Sequence, residues 1–144
     1  MVQLFAQIWL VRVFDRAPGS GGADYPSYFS EAKKVALLHH DPAALAIVNA
    51  GEKGFAAGGV RAMWERMLTV QKEFYLQGAL PAYPLAQTYS QMGEKQEALK
   101  YLREAYDKRD AGIVFMPSDR SFDGLRDNPS FRDLLAQFSQ PHLN

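Results

Sequence analysis

The chain has no cysteine. That removes disulfides, thiolate zinc sites and thiol catalysis together. It also fits a reducing compartment, so a cytoplasmic location is expected. Histidine is almost as scarce, with three residues. His39 and His40 are adjacent, so on a helix they point about 100° apart and cannot easily share one metal. No second pair at helical spacing supports them, and His142 lies in the tail. A charge of one sign is missing too: Lys+Arg and Asp+Glu number 16 each. Nucleic-acid binders usually carry a basic excess that releases counterions from phosphate, so no direct nucleic-acid binding is expected. No apolar run reaches the roughly 20 residues that cross a bilayer. Gly19-Ser20-Gly21-Gly22 has neither the lysine nor the preceding strand of a phosphate loop, and no serine sits in a Gly-x-Ser-x-Gly elbow. These residues nominate no metal, no cofactor and no catalytic group, and the expectation is that the protein is not an enzyme.

What is present is ordinary globular material. With 47% hydrophobic and 22% charged residues in 144, the chain has the composition of a folded domain, not of a disordered one. At that length it can bury roughly 70% of its unfolded surface without staples. Residues 1–22 read as an apolar arm and linker. Val2 to Phe14 holds Leu4, Phe5, Ile8, Trp9, Leu10, Val11 and Val13, without the positive start or cleavage site of a secretory signal. Pro18 to Gly22 is a flexible break. Left in water, Phe5 and Trp9 would be sticky, so the arm is expected to be covered. A packing arm, a remnant of an upstream segment, a membrane-proximal stub and a dimerisation arm are all open readings.

Residues 23–140 read as a helical domain. Phe29, Ala32, Val35, Ala36 and Leu38 predict a helix over Ser27 to His39. Asp41-Pro42 is a start signal, an N-cap followed by proline at the first helical position. A short helix from Ala43 to Ala50 is expected to end near Gly51, with Gly54, Gly58 and Gly59 as a loose connection. Val60, Met63, Trp64, Met67, Val70, Phe74 and Tyr75 recur at three- and four-residue steps and predict a long helix to Gln77, stopped by Gly78. Pro81 opens the next helix, with Leu85, Ala86, Tyr89 and Met92 inward, and Gly93 ends it. Lys95 to Lys108 follows, with Ala98, Leu99, Leu102, Ala105 and Tyr106 on one face. Asp110 to Asp127 is expected to be irregular, with Ile113 to Met116 as a buried plug. Asp119, Asp123 and Asp127 are interleaved with Arg120 and Arg126, which predicts a salt-bridged, capping tail anchored by Phe122 and Leu125. Asn128-Pro129 starts a last helix, with Phe131, Leu134, Leu135 and Phe138 inward.

The stretch 79–112 has the length and punctuation of one tetratricopeptide repeat. Leu85, Ala86 and Tyr89 supply its large, small and aromatic residues. Ala98 and Ala105 supply the small residues where two helices cross, Leu102 lies between them, and Gly93 takes the turn. Ala82 stands where the repeat often has tryptophan, and Asp110 where it usually has proline. The run Ala98 to Asp110 and the ending Ser118 to Leu135 resemble the C-terminal tetratricopeptide regions of multidomain bacterial regulators, which place such repeats behind winged-helix, kinase or cyclase domains. The resemblance covers roughly Arg61 to Phe138. It implies an all-α, TPR-like stack of antiparallel helical hairpins, with an irregular segment before the final helix and a C-terminal cap over 113–138. It carries over no catalytic residue.

The function expected is a non-catalytic protein- or peptide-binding module, regulatory or scaffolding. By the register of the repeat, Tyr83, Gln87, Ser90 and Gln91 are expected to edge an open groove on the first helix of the hairpin. One repeat with fragments makes a short groove, so a homodimer through the apolar arm would supply missing surface. The alternative is a small-molecule sensor, its pocket between the 60–77 helix and the following hairpin and lined by Trp64, Met67, Phe74 and Tyr83.

Overall fold

In a computed structural model, the structure describes residues 25–140. The arm, the Gly-rich break and His142 lie outside that range. Every regular element among the described residues is helical: α1 (Tyr25–Leu38), α2 (Pro42–Leu76), α3 (Ala82–Gln91), α4 (Lys95–Asp107), 3-10 segments at Ala111–Ser118 and Arg120–Leu125, and α5 (Pro129–Ser139). The all-α class is therefore as expected, with the Asp110–Asp127 stretch taking 3-10 turns.

The ends of α1 to α4 share one device. At His40, Gly78, Gly93 and Arg109 the backbone takes a positive φ. At each, that residue's N–H bonds three residues back, and the next N–H bonds five residues back: Gly93 to Ser90 and Glu94 to Tyr89, for example, at 3.0 and 2.9 Å. This is the Schellman stop, which satisfies carbonyls that a helix end would otherwise leave bare. Starts are capped as the sequence suggests. The Asp41 carboxylate accepts from Ala44 N, and Asn128 Oδ1 accepts from Ser130 N and Phe131 N.

The region from Ala43 to Gln77 differs from expectation. Its first helix runs straight through Gly51 and Gly54, and only Gly58 and Gly59 leave helical geometry. A Cβ on Gly51 would lie 2.8 Å from Met67 Sδ, and one on Gly54 would lie 2.5 Å from the Ala62 carbonyl oxygen. In a continuous helix residues 51 and 67 would be about 24 Å apart, so α2 is a hairpin of two antiparallel arms, 42–57 and 60–76. Gly51 and Gly54 are not breakers. They are the places where the two arms touch.

Two hydrophobic clusters result. The first joins α1 (Phe29, Ala32, Ala36) to both arms of α2 through Ile47, Val48, Met63, Trp64 and Met67. The second joins α3 and α4 (Tyr83, Ala86, Ala98, Leu102, Ala105) to the 3-10 segments and α5 through Met116, Phe122, Leu125, Phe131 and Leu134. The alanines at the α3–α4 crossing are fully buried, which lets the two backbones approach. The clusters are linked by a buried bond, Thr88 Oγ donating to Gln71 Oε1 at 2.7 Å. No helix among the described residues is long and apolar enough to cross a membrane.

Candidate functional site

α3 is where a groove was expected, and it is closed. All residues from Ala82 to Tyr89 are buried. Tyr83 and Gln87 are both 0% exposed, which corrects the reading of them as groove edges. Ser90 and Gln91 are partly exposed. The cause is the segment 111–125, which returns across α3 as a strap. Its Asp119 Oδ2 accepts from Tyr83 Oη and from Gln87 Nε2, each at 2.7 Å. Asp119 Oδ1 accepts from Ser121 N and so caps the second 3-10 segment. Ser90 Oγ donates to the Ser121 carbonyl at 2.6 Å, and Arg126 Nη2 donates to the Asp119 carbonyl at 2.9 Å. Apolar contacts complete the seal: the Tyr83 ring meets Phe122 edge-on, with centroids 5.7 Å apart. A Cβ on Gly112 would stand 2.5 Å from the same Tyr83 ring.

The site therefore behaves as a latch. A buried carboxylate paired with a phenol and an amide holds two elements together, because an unpaired carboxylate there would be costly. Two side-chain atoms beside it, Gln87 Oε1 and Ser121 Oγ, are buried without a hydrogen-bond partner. The other acids of the tail behave as expected: Asp123 pairs with Arg120 and Arg126, and Asp127 with Arg132. These pairs are exposed and contribute little to stability. Sequence spacing could place Phe122 and Leu125 against the last hairpin, and both are indeed buried there. It could not show that Asp119 would reach back to α3.

A second carboxylate does comparable work at the other end of α3. That helix has proline at its N-cap position and no side-chain cap of its own. Asp110 Oδ2 accepts from Ala82 N at 2.9 Å and Tyr83 N at 3.3 Å, so it caps α3 from 28 residues away. Burial pushes the Asp110 carboxyl above the ordinary aspartate value, against the opposing pull of those two N–H donors and of Lys108. Nearby, Tyr75 donates to Glu104. Ionising the phenol would forfeit that bond and set two negative charges together, and its pKa is pushed up to about 12. Tyr75 and Tyr89 both pack on Tyr101, edge-on and stacked respectively.

The residues of the alternative pocket are divided. Trp64 and Met67 belong to the first cluster and Tyr83 to the second, while Phe74 is only half-buried. Among the described residues no group of three or more His, Asp or Glu could hold a metal ion.

An open, largely apolar surface lies elsewhere. A groove of ≈ 390 Å³ runs between the two arms of α2, lined by Ala46, Asn49, Ala50 and Lys53 on one arm and Arg66, Thr69 and Val70 on the other. It faces away from Ala44 and Val48, which cluster with α1. A smaller cleft between α4 and α5 is more polar, and Arg103 crosses it to Gln137. No family model, no curated protein and no solved structure matches the chain.

Proposed function

We propose that the protein is a TPR-like, non-catalytic module that binds a protein or peptide, acting as a regulator or scaffold in a bacterial cytoplasm. The observation that carries this reading is the α2 groove. It is an open channel between two antiparallel helices, with Ala46, Ala50 and Val70 among its lining residues and Lys53 and Arg66 beside them. Small residues let a helix or extended segment approach closely, and long cationic side chains cover apolar contact while staying hydrated.

The repeat character is supported by punctuation. Gly59 and Gly93 both take φ of 78° and stand about 34 residues apart, one repeat length. Gly59 turns α2 back on itself as Gly93 turns α3 into α4. By this reading the 60–76 arm, α3 and α4 are successive members of one stack, and the strap with α5 is its cap.

Peptide display on the purified chain, followed by mapping of amide shifts, tests the proposal. Selected peptides should perturb Ala46, Ala50 and Val70, and Ala50→Glu should weaken them about tenfold, as expected for a charge opposed to an apolar anchor. Peptides that map to the α4–α5 cleft, or that bind Ala50→Glu unchanged, would reject the groove as the binding surface.

A further inference from the structure

We infer that the α2 groove takes an acidic amphipathic helix from a protein partner, seated with its carboxylates toward the Gly58–Gly59 turn. This rests on the binding reading above and gives the partner a chemistry and a direction.

The lining is divided along its length. On each arm the lining residue nearest the turn is a cation, Lys53 on one and Arg66 on the other. The lining residues farthest from the turn are Ala46 and Val70, with Asn49 and Ala50 between. Among the described residues, none that lines the groove is acidic.

The two cations are uncompensated. Each has a glutamate beside it in sequence, and each glutamate is engaged elsewhere. Glu52 pairs with Lys33 of α1 at 2.5 Å, and Glu65 with Arg61 at 3.0 Å. Neither Lys53 nor Arg66 makes an ion pair or hydrogen bond with a described residue, and the half-buried Asn49 amide makes none either. The cap shows the contrast, since Arg103, Arg126 and Arg132 all find partners there. With a net charge of zero over the whole chain, the groove is a local basic site and not part of a basic surface.

The neighbours of those cations decide which anion fits. A nucleic-acid strand calls for stacking aromatics beside them, and a bilayer for large apolar side chains. The groove offers alanine and valine. That suits a helix bringing its own apolar stripe and its own acids. Ala46 and Lys53 are seven residues apart on one helix, roughly 10 Å along its axis. A helix lying in the channel thus carries its acids about two turns from the apolar residue that meets Ala46 and Val70. Glu73 lies beyond Val70, at the end away from the cations, and disfavours the reversed seating.

The test uses the full chain and peptides selected on it by display. Those that map to Ala46, Ala50 and Val70 should carry Asp or Glu about two helical turns from their apolar anchor. Changing these acids to Asn or Gln should weaken binding about fivefold at low salt, the combined yield of two exposed ion pairs. The loss should vanish near about 1 M salt, where charges are screened within about 3 Å. On the double variant Lys53→Glu, Arg66→Glu the same peptide change should cause no loss, and fresh selection should return Lys or Arg at those positions. Lys34→Glu with Lys95→Glu makes the same change in net charge on α1 and α4 and should keep the acidic preference. All four side chains are exposed, and circular dichroism checks that each variant folds as the parent does.

Peptides that map to the groove without acids, or whose acids matter equally on both double variants, overturn this inference and leave the binding reading standing. Peptides that map elsewhere end the binding reading, and this inference falls with it. Vesicles of phosphatidylcholine and phosphatidylserine, and a single-stranded oligonucleotide, complete the set. Binding of either that is lost in Lys53→Glu, Arg66→Glu, while the peptides are indifferent to that variant, would assign the cations to lipid or nucleic acid and overturn the acidic helix.

Discussion

Asp110 shows how one side chain can serve structure under electrostatic strain. Its carboxylate caps α3, yet burial raises its pKa above that of the unfolded chain. The sign follows directly. With the folded pKa raised, the proton is held more tightly in the native state, so stability is lost as pH rises through the carboxylate range. Asp110→Asn keeps an oxygen for Ala82 N and Tyr83 N but carries no charge. It should be at least as stable as the parent at pH 7, with any advantage disappearing below about pH 4. Asp110→Ala loses both bonds and should cost about 1 kcal/mol, the usual value of a cap. Urea denaturation at the two pH values separates the cases, and an Asn variant as weak as the Ala variant would defeat the argument. Tyr75 carries a pH dependence of the same sign in a higher window. Its phenol is neutral and bonded to Glu104, and that contribution is present below about pH 10 and fades as pH climbs toward its raised value.

At the scale of the element, the α2 hairpin turns on two glycines. Inside an ordinary exposed helix, Gly→Ala stabilises by up to about 1 kcal/mol. At Gly54 the new methyl would press on the Ala62 backbone, so Gly54→Ala should instead destabilise by about 2 kcal/mol, in the range of overpacked cores. Gly124, with open space around it, serves as the control and should be near neutral. A stabilised Gly54→Ala in thermal melts would mean the arms do not touch as described. The same glycines explain what the sequence could and could not reveal. α3 and α4 were legible because their apolar spacing and their stops agree. α2 was not, because a glycine that ends a helix and a glycine that admits a neighbour look alike until the neighbour is known. The closure of α3 was hidden for a related reason. Tyr83 and Gln87 have the polarity of exposed positions, and only the return of Asp119 across more than 30 residues of chain makes them interior. The chemistry of the cap was readable in Asn128 and Asp41, where donor and acceptor are neighbours in sequence.

For the whole molecule, the question is how firmly two clusters act as one. The buried bond from Thr88 to Gln71 sits at their junction, and Leu68 and Tyr75 of α2 pack against the second cluster. Trp64 lies in the first cluster and reports on it alone once Trp9 is replaced by Phe. In that background, Trp64 fluorescence and far-UV circular dichroism should lose structure together in urea. Gln71→Ala removes the junction bond, at a cost of about 1–3 kcal/mol, and should pull the two transitions apart, with Trp64 leading. Coincident curves in the variant would show that apolar contact alone couples the halves.

The strap has a further consequence for how the protein is made. Most helices here pack on their neighbours in sequence, an arrangement that closes short loops and folds fast. The strap is the exception, since Asp119 must travel back to Tyr83 and Gln87. A chain emerging from the ribosome presents α3 well before Asp119 is available to cover it. Through that interval the phenol and amide are solvated and the apolar side of α3 is bare, the kind of surface that chaperones hold or that aggregates. Synthesis of the last 30 or so residues is thus the step that converts a sticky intermediate into a sealed fold, and premature termination before residue 111 leaves that step undone.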